Sequence, residues 1–252
     1  MPSKTPVIAV GIAFHSASQR LSDAVDSALA QKVPGHDLQV VVLDSSPSGA
    51  ARRLLGRRRS LPSVHIVRAN ARTAHAARNR LIAVAEARWS GLRWHVRLDS
   101  DDRFASGSAL ADVLHAVRPT HHAVLAGNRQ LGPDDKLIGR NIPTRRLLNR
   151  RSLLNRLAGM AAGVLKDELP SCNLILRAGL GWRYPAKKSA EDHWLLASIL
   201  MKTRPAYIHV SQVELVDYRV GGELTLANKR EGFYLAQRRA LLEEAVAWHR
   251  DA

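Results

Sequence analysis

Trp94-His95-Val96-Arg97-Leu98-Asp99-Ser100-Asp101-Asp102 decides the fold of this chain. Its apolar run reads as a buried strand, and the strand ends in three carboxylates. Aspartates this close repel one another, and a divalent cation bound to phosphate offsets that repulsion. An Asp-rich solvated turn is the competing reading of the same residues. The chain on either side has to decide between them.

Working outward, Val7 to Phe14 reads as a central parallel strand, with Ser18 capping a helix to about Lys32. Leu38 to Leu43 is a second strand running into Asp44-Ser45-Ser46, and Val64 to Val67 a third. Thr73 and Asn70 are candidate caps for a helix to about Trp89, after which Arg93 to Leu98 forms the fourth strand. Strand, helix and strand in succession imply an α/β sheet with crossover helices and active loops outside the C-terminal strand ends. A helix is expected from Ser106-Gly107 to about Val117, then a strand over Ala123 to Gly127.

Residues 128 to 170 break this rhythm. Asn128 to Pro143 carries turn signals without a period, and Thr144 to about Leu165 reads as one helix rich in arginine. A basic amphipathic helix can lie on an anionic membrane, or simply cover the sheet. Its Arg145 and Arg146 are candidates to hold an anionic acceptor. Leu174 to Leu176 is a short strand, Glu191-Asp192 opens a helix to about Met201, and Tyr207 to Val210 and Val213 to Tyr218 are strand segments. Asn228 is expected to cap a last helix to Trp248. The division expected is 1–127, 128–227 and a C-terminal helix over 228–252.

The chain has 252 residues, 46% of them hydrophobic, enough for one large domain. Lys and Arg number 38 against 22 Asp and Glu, a formal charge of +16 that favours anionic partners: nucleotides, phosphorylated acceptors, nucleic acid or an anionic membrane face. Cys172 is the only cysteine, which excludes an intramolecular disulfide and a cysteine metal cluster. The histidines show no metal-ligand spacing. Apolar runs stay short of the roughly 18 residues of a membrane span. The expectation is a cytoplasmic protein able to rest on the inner face of a membrane. Neither zinc-finger spacing nor an aromatic RNA-binding signature supports nucleic acid as the partner.

Four features stand in order: the strand end near Ala13, Asp44-Ser45-Ser46, Ala77-Arg78-Asn79 ahead of Asp99-Ser100-Asp101-Asp102, and Glu191-Asp192 about 90 residues later. The ordered set, over roughly residues 6 to 225, resembles the family 2 glycosyltransferases with the GT-A fold. That resemblance implies a Rossmann-like, mostly parallel central sheet flanked by helices. It implies an inverting transfer from a nucleoside-diphosphate sugar, most often UDP-linked, to a hydroxyl of a small-molecule, peptide or lipid-linked acceptor. It also implies Mg²⁺ or Mn²⁺ held by Asp101, Asp99 and Asp102. By the same resemblance Ala13, Phe14, Asp44, Arg78, Asp99 and Ser100 line the donor, with Asp44 on the base. Asp192 is then the catalytic base. Trp182 and Glu191 join Arg145 and Arg146 as acceptor candidates. Tyr218-Arg219 and Leu224-Thr225 match the family's segment after the last core strand. The family often carries a histidine and a serine there, whereas this chain has Gly221, Gly222 and Glu223. A nucleotidyltransferase of similar fold is the alternative, and the glycine-free loop after the first strand disfavours it.

Overall fold

The computed structural model describes residues 5–15, 20–164, 169–221 and 233–250. The expected Ser18 and Asn228 caps, the helix end near Leu165 and the Leu224-Thr225 match lie outside them. The strands are β1 (Val7–Phe14), β2 (Asp37–Asp44), β3 (Val64–Arg68), β4 (Leu92–Asp99), β5 (Arg103–Phe104), β6 (Ala123–Leu131), β7 (Leu137–Asn141), β8 (Leu174–Arg177) and β9 (Ile208–Arg219). The helices are α1 (Leu21–Leu29), α2 (Ala50–Leu55), α3 (Ala74–Arg88), α4 (Ala109–Leu114), α5 (Arg150–Ala161), α6 (Glu191–Lys202) and α7 (Phe233–Arg250).

The strands form one sheet in the order β3-β2-β1-β4-β8-β6-β9-β5, with β7 paired to β6. From β3 to β4 every pairing is parallel, as crossover helices require. β8 enters antiparallel between β4 and β6, and β6 pairs parallel with β9. The architecture is an α/β sheet between helix layers, the GT-A arrangement. β6 runs from Ala123 to Leu131, and its register to β9 shifts on either side of Gly127, the residue at which the first expected division ends.

Alternation along β4 sets up the site. Trp94, Val96 and Leu98 pack into the core beneath α1, α2 and α4. Period two therefore sends His95, Arg97 and Asp99 to the opposite face, where α3 and α6 lie. α3 comes close to that face because β1 is small there. A Cβ on Gly11 would stand 3.4 Å from Leu81. Thr73 caps α3 as expected, its hydroxyl accepting from the Ala76 amide at 3.4 Å. A third layer of α5, α6 and α7 buries Leu153, Leu157, Leu196, Ile199 and Leu241 against β6 and β8.

Two expectations are corrected. Residues 128 to 143 are a hairpin, β6 extending to Leu131 and β7 returning through a turn in which Asp135 takes φ 58°. β7 is an edge strand with Leu137 50% and Ile138 60% exposed, so it has no burial pattern to show in sequence. The single helix expected from Thr144 is two elements, a 3₁₀ turn over Arg145–Leu148 and then α5. Asn149 separates them by taking an extended backbone and accepting the Ser152 amide at 3.0 Å, a helix cap. No described helix is long and apolar enough to cross a membrane.

Candidate active site

Arg97 joins two carboxylates 93 residues apart. Its Nε donates to Asp99 Oδ1 at 2.8 Å and its Nη2 to Asp99 Oδ2 at 2.5 Å. Its Nη1 donates to Asp192 Oδ2 at 2.8 Å. The strand end and the helix start thus meet across one guanidinium. Arg78, from α3, completes the cluster by pairing with Glu191 and standing 3.5 Å from Asp99. Asn79 holds the approach to α6, donating to the Tyr184 carbonyl at 2.8 Å and accepting the Tyr184 amide at 2.7 Å. That fixes the Tyr184 ring 5.5 Å from the Arg78 guanidinium. Ala190 delivers the two acids in a left-handed conformation, φ 59°, which costs a non-glycine residue about 1–2 kcal/mol.

The electrostatics follow from burial and partners. Burial pushes Asp192 up, yet Arg97, His193 and Arg78 overcome it and hold Asp192 below the ordinary aspartate value. Asp99 shows the same contest, lowered by Arg97 and Arg78 against its burial. Asp101 and Asp102 go the other way. Burial raises both, with repulsion from Asp99 acting on Asp101, and from Asp101 and Asp99 on Asp102. Asp102 is 2% exposed and accepts the Arg219 amide at 2.8 Å. Arg219 also donates to the Asp101 carbonyl at 2.5 Å and to Asp135 at 2.7 Å, tying the aspartate turn to the β6–β7 hairpin.

The expected three-aspartate metal set is therefore divided. Asp99 faces Arg97 and Asp102 faces the Arg219 backbone. Neither Asp101 nor Asp102 has a cation within ion-pair distance among the described residues, and of the two Asp102 is committed to the Arg219 amide. Among them no three His, Cys, Asp or Glu are grouped to hold a metal ion. One raised, unpaired carboxylate fits a Mg²⁺-type site in which one or two carboxylates share the ion with substrate phosphates.

The donor candidates are only partly assembled. Ala13 pairs in register with Asp99, and Phe14 with Asp44, at one end of the sheet, and Ser100 follows in the aspartate turn. Phe14 is buried in the core. Asp44 is 1% exposed and its oxygens are in use: Oδ1 accepts from the Ser46 amide and hydroxyl, Oδ2 from the Ala51 amide, and Arg68 lies 3.2 Å from Oδ1. That is an Asx turn entering α2, and it engages both oxygens of the residue expected on the donor base. Ser45 Oγ, beside it, is buried with no hydrogen-bond partner among the described residues.

The acceptor candidates scatter. Glu191 is held by Arg78. Trp182 packs against the α5–α7 core. Arg145 and Arg146 are exposed in the 3₁₀ turn before α5, and Arg145 is near enough to His209 to add to the lowering of its ionisation by burial. They are not brought to the carboxylate cluster. Arg97 is the residue of the cluster that the sequence reading missed. For Arg97 a signal existed: a cation two residues before Asp99 in a buried strand must share its face.

A family model described as "Glycosyl transferase family 2" matches residues 9–180. No curated protein matches the chain in sequence. Among solved structures, TarS 1–349 of S. aureus in complex with UDP-GlcNAc superposes with a TM-score of 0.62 at 17% identity, covering 96% of this chain and 72% of that one. Glucosyl-3-phosphoglycerate synthase from Mycobacterium tuberculosis, in complex with Mn²⁺, UDP and glucosyl-3-phosphoglycerate, gives 0.61 at 15% identity, covering 95% and 80%. Against a longer TarS chain the TM-score is 0.60 at 17% identity, with 96% of this chain covered, which spans 43% of that protein's length.

Proposed function

This chain belongs to glycosyl transferase family 2, and from that premise we propose that it transfers a sugar from a UDP-linked donor to an acceptor hydroxyl with inversion of configuration. The observation that carries the reading is the Arg97 bridge, which brings Asp192 to the same point as Asp99.

In this reading Asp192 is the base. Its ionisation is lowered by Arg97, His193 and Arg78 against its burial, which favours the carboxylate form a base needs. Oδ1 accepts the His193 amide and Oδ2 the Arg97 guanidinium, each leaving a further lone pair for an acceptor hydroxyl. A single displacement needs one carboxylate to take that proton as the sugar carbon is attacked. The diphosphate leaves from the opposite side, toward the β4 end. Asp101, with Asp99 beside it, would hold a divalent cation there, and bound Mg²⁺ or Mn²⁺ would offset the charge developing on the leaving group. Arg78 and Arg97 add fixed positive charge to the same side. At the β2 end, Asp44 is the residue that the family resemblance assigns to the donor base, with Ser45 next to it in sequence.

A panel of nucleotide sugars, scored for released nucleoside diphosphate with Mn²⁺ and with EDTA, tests this. Metal-dependent UDP release that is lost in Asp101→Ala supports it. Release of pyrophosphate instead would place the chain with nucleotidyl transfer, and equal release with EDTA would remove the metal from the account.

A further inference from the structure

The end of α6 farthest from Asp192 borders a cavity of about 400 Å³. Arg150 and Arg151 line it from the start of α5, Arg204 from the segment after α6, and His249 from the end of α7. Leu148 and Leu200 form its apolar floor. At 1.5 Å per residue α6 puts this place about 16 Å from Asp192, so it is a separate site.

Some arginines around the sheet have carboxylate partners. Arg103 and Arg129 share Asp217, Arg140 meets Glu214, and Arg183 meets Glu86. Arg150, Arg151, Arg204 and His249 have none within ion-pair distance among the described residues. Other arginines are also without one, Arg57 and Arg59 among them, but these two ride one exposed turn (Gly56–Ser60) and do not line this cavity. Here three separate elements bring three arginines and a histidine to one concavity, with no carboxylate of the described residues within ion-pair distance of them. The C-terminal carbonyls of α6 attract cations to this end. Lys202 is close to that end already, with its ammonium 4.5 Å from the Trp248 ring. α5 adds the positive end of its own dipole, since Asn149 caps it at the cavity wall.

We infer that this cavity is a binding site for a phosphorylated anion, distinct from the donor site. Forked guanidinium groups suit phosphate oxygens, and an apolar floor suits a ligand whose phosphate is attached to carbon. The phosphate can come from a free ligand or from a lipid headgroup.

The experiment compares wild type, Arg151→Gln/Arg204→Gln, and the control Arg57→Gln/Arg59→Gln, which removes the same charge elsewhere. All the altered side chains lie on the surface. Each protein is titrated with inorganic pyrophosphate in EDTA, then sedimented with phosphatidylcholine vesicles with and without phosphatidylglycerol. The cavity variant should bind pyrophosphate about tenfold or more weakly than the control. If only pyrophosphate separates the two variants, the ligand is a free phosphate. If phosphatidylglycerol-dependent sedimentation also separates them, and pyrophosphate competes with it, the ligand is a headgroup. Equal binding by the two variants in both assays would overturn the site and leave these cations as surface charge. The result is independent of sugar transfer.

Discussion

The two ends of α6 treat charge in opposite ways. At its start Arg97, Arg78, Asp99, Glu191 and Asp192 are mostly buried and paired. At its far end Arg150, Arg151, Arg204 and His249 surround a cavity without carboxylate partners among the described residues. Paired buried charges hold geometry, because breaking a pair leaves a desolvated ion. Unpaired charges at an open concavity cost little to keep and gain most when an anion arrives. The first end is built to stay as it is, and the second to receive a ligand.

The largest expected effect is at the paired end. Arg97→Met removes the guanidinium that hydrogen-bonds both Asp99 and Asp192, and should cost about 3–5 kcal/mol of unfolding free energy in denaturant melts. Arg97→Lys should recover part of the loss, as a cation without the fork. A loss under about 1 kcal/mol would mean that the bridge does not hold the two elements together.

A smaller effect is expected at Asn79, which holds α6 through the backbone of Tyr184. Asn79→Ala should destabilise by about 1–3 kcal/mol, since it strands a buried amide and carbonyl. It should also lower turnover more than donor affinity, because it loosens the approach to Asp192 and leaves Asp101 in place. An unchanged turnover would detach the Tyr184 segment from the site.

The smallest effect is a pH slope. Asp101 and Asp102 have raised values in the folded chain, so folding binds protons that the unfolded chain releases. Their stabilising contribution is full below the unfolded aspartate value and is lost as pH rises through the raised values. In EDTA, melting temperature should fall across that window more in wild type than in Asp102→Asn, and Mn²⁺ should reduce the fall. Parallel profiles would show that the aspartate turn carries no such strain.

How much of this was legible in sequence depended on burial. β1 to β4 and the Thr73 cap stand out because a two-sided core and a capping hydroxyl leave strong local signals. The Asp99 to Asp102 run and Asp192 were readable as candidates through a family resemblance. Their meeting point was not, because a contact across 93 residues through Arg97 leaves no local period. The hairpin at 128–141 was missed because β7 is an exposed edge with no alternation. Asp44 was readable as an acid at a strand end. Only the fold shows that Ser46, Ala51 and Arg68 already claim it.

The account stands most directly on Asp192, and one paired measurement tests it: the turnover of Asp192→Asn, with the anomeric configuration of the wild-type product read by NMR. The substitution keeps size and removes basicity. Turnover should fall about 10²-fold or more with melting temperature and UDP affinity little changed, and an α-linked donor should give a β-linked product. Near-wild-type turnover would take the base role from Asp192, and an α-linked product would contradict single displacement itself.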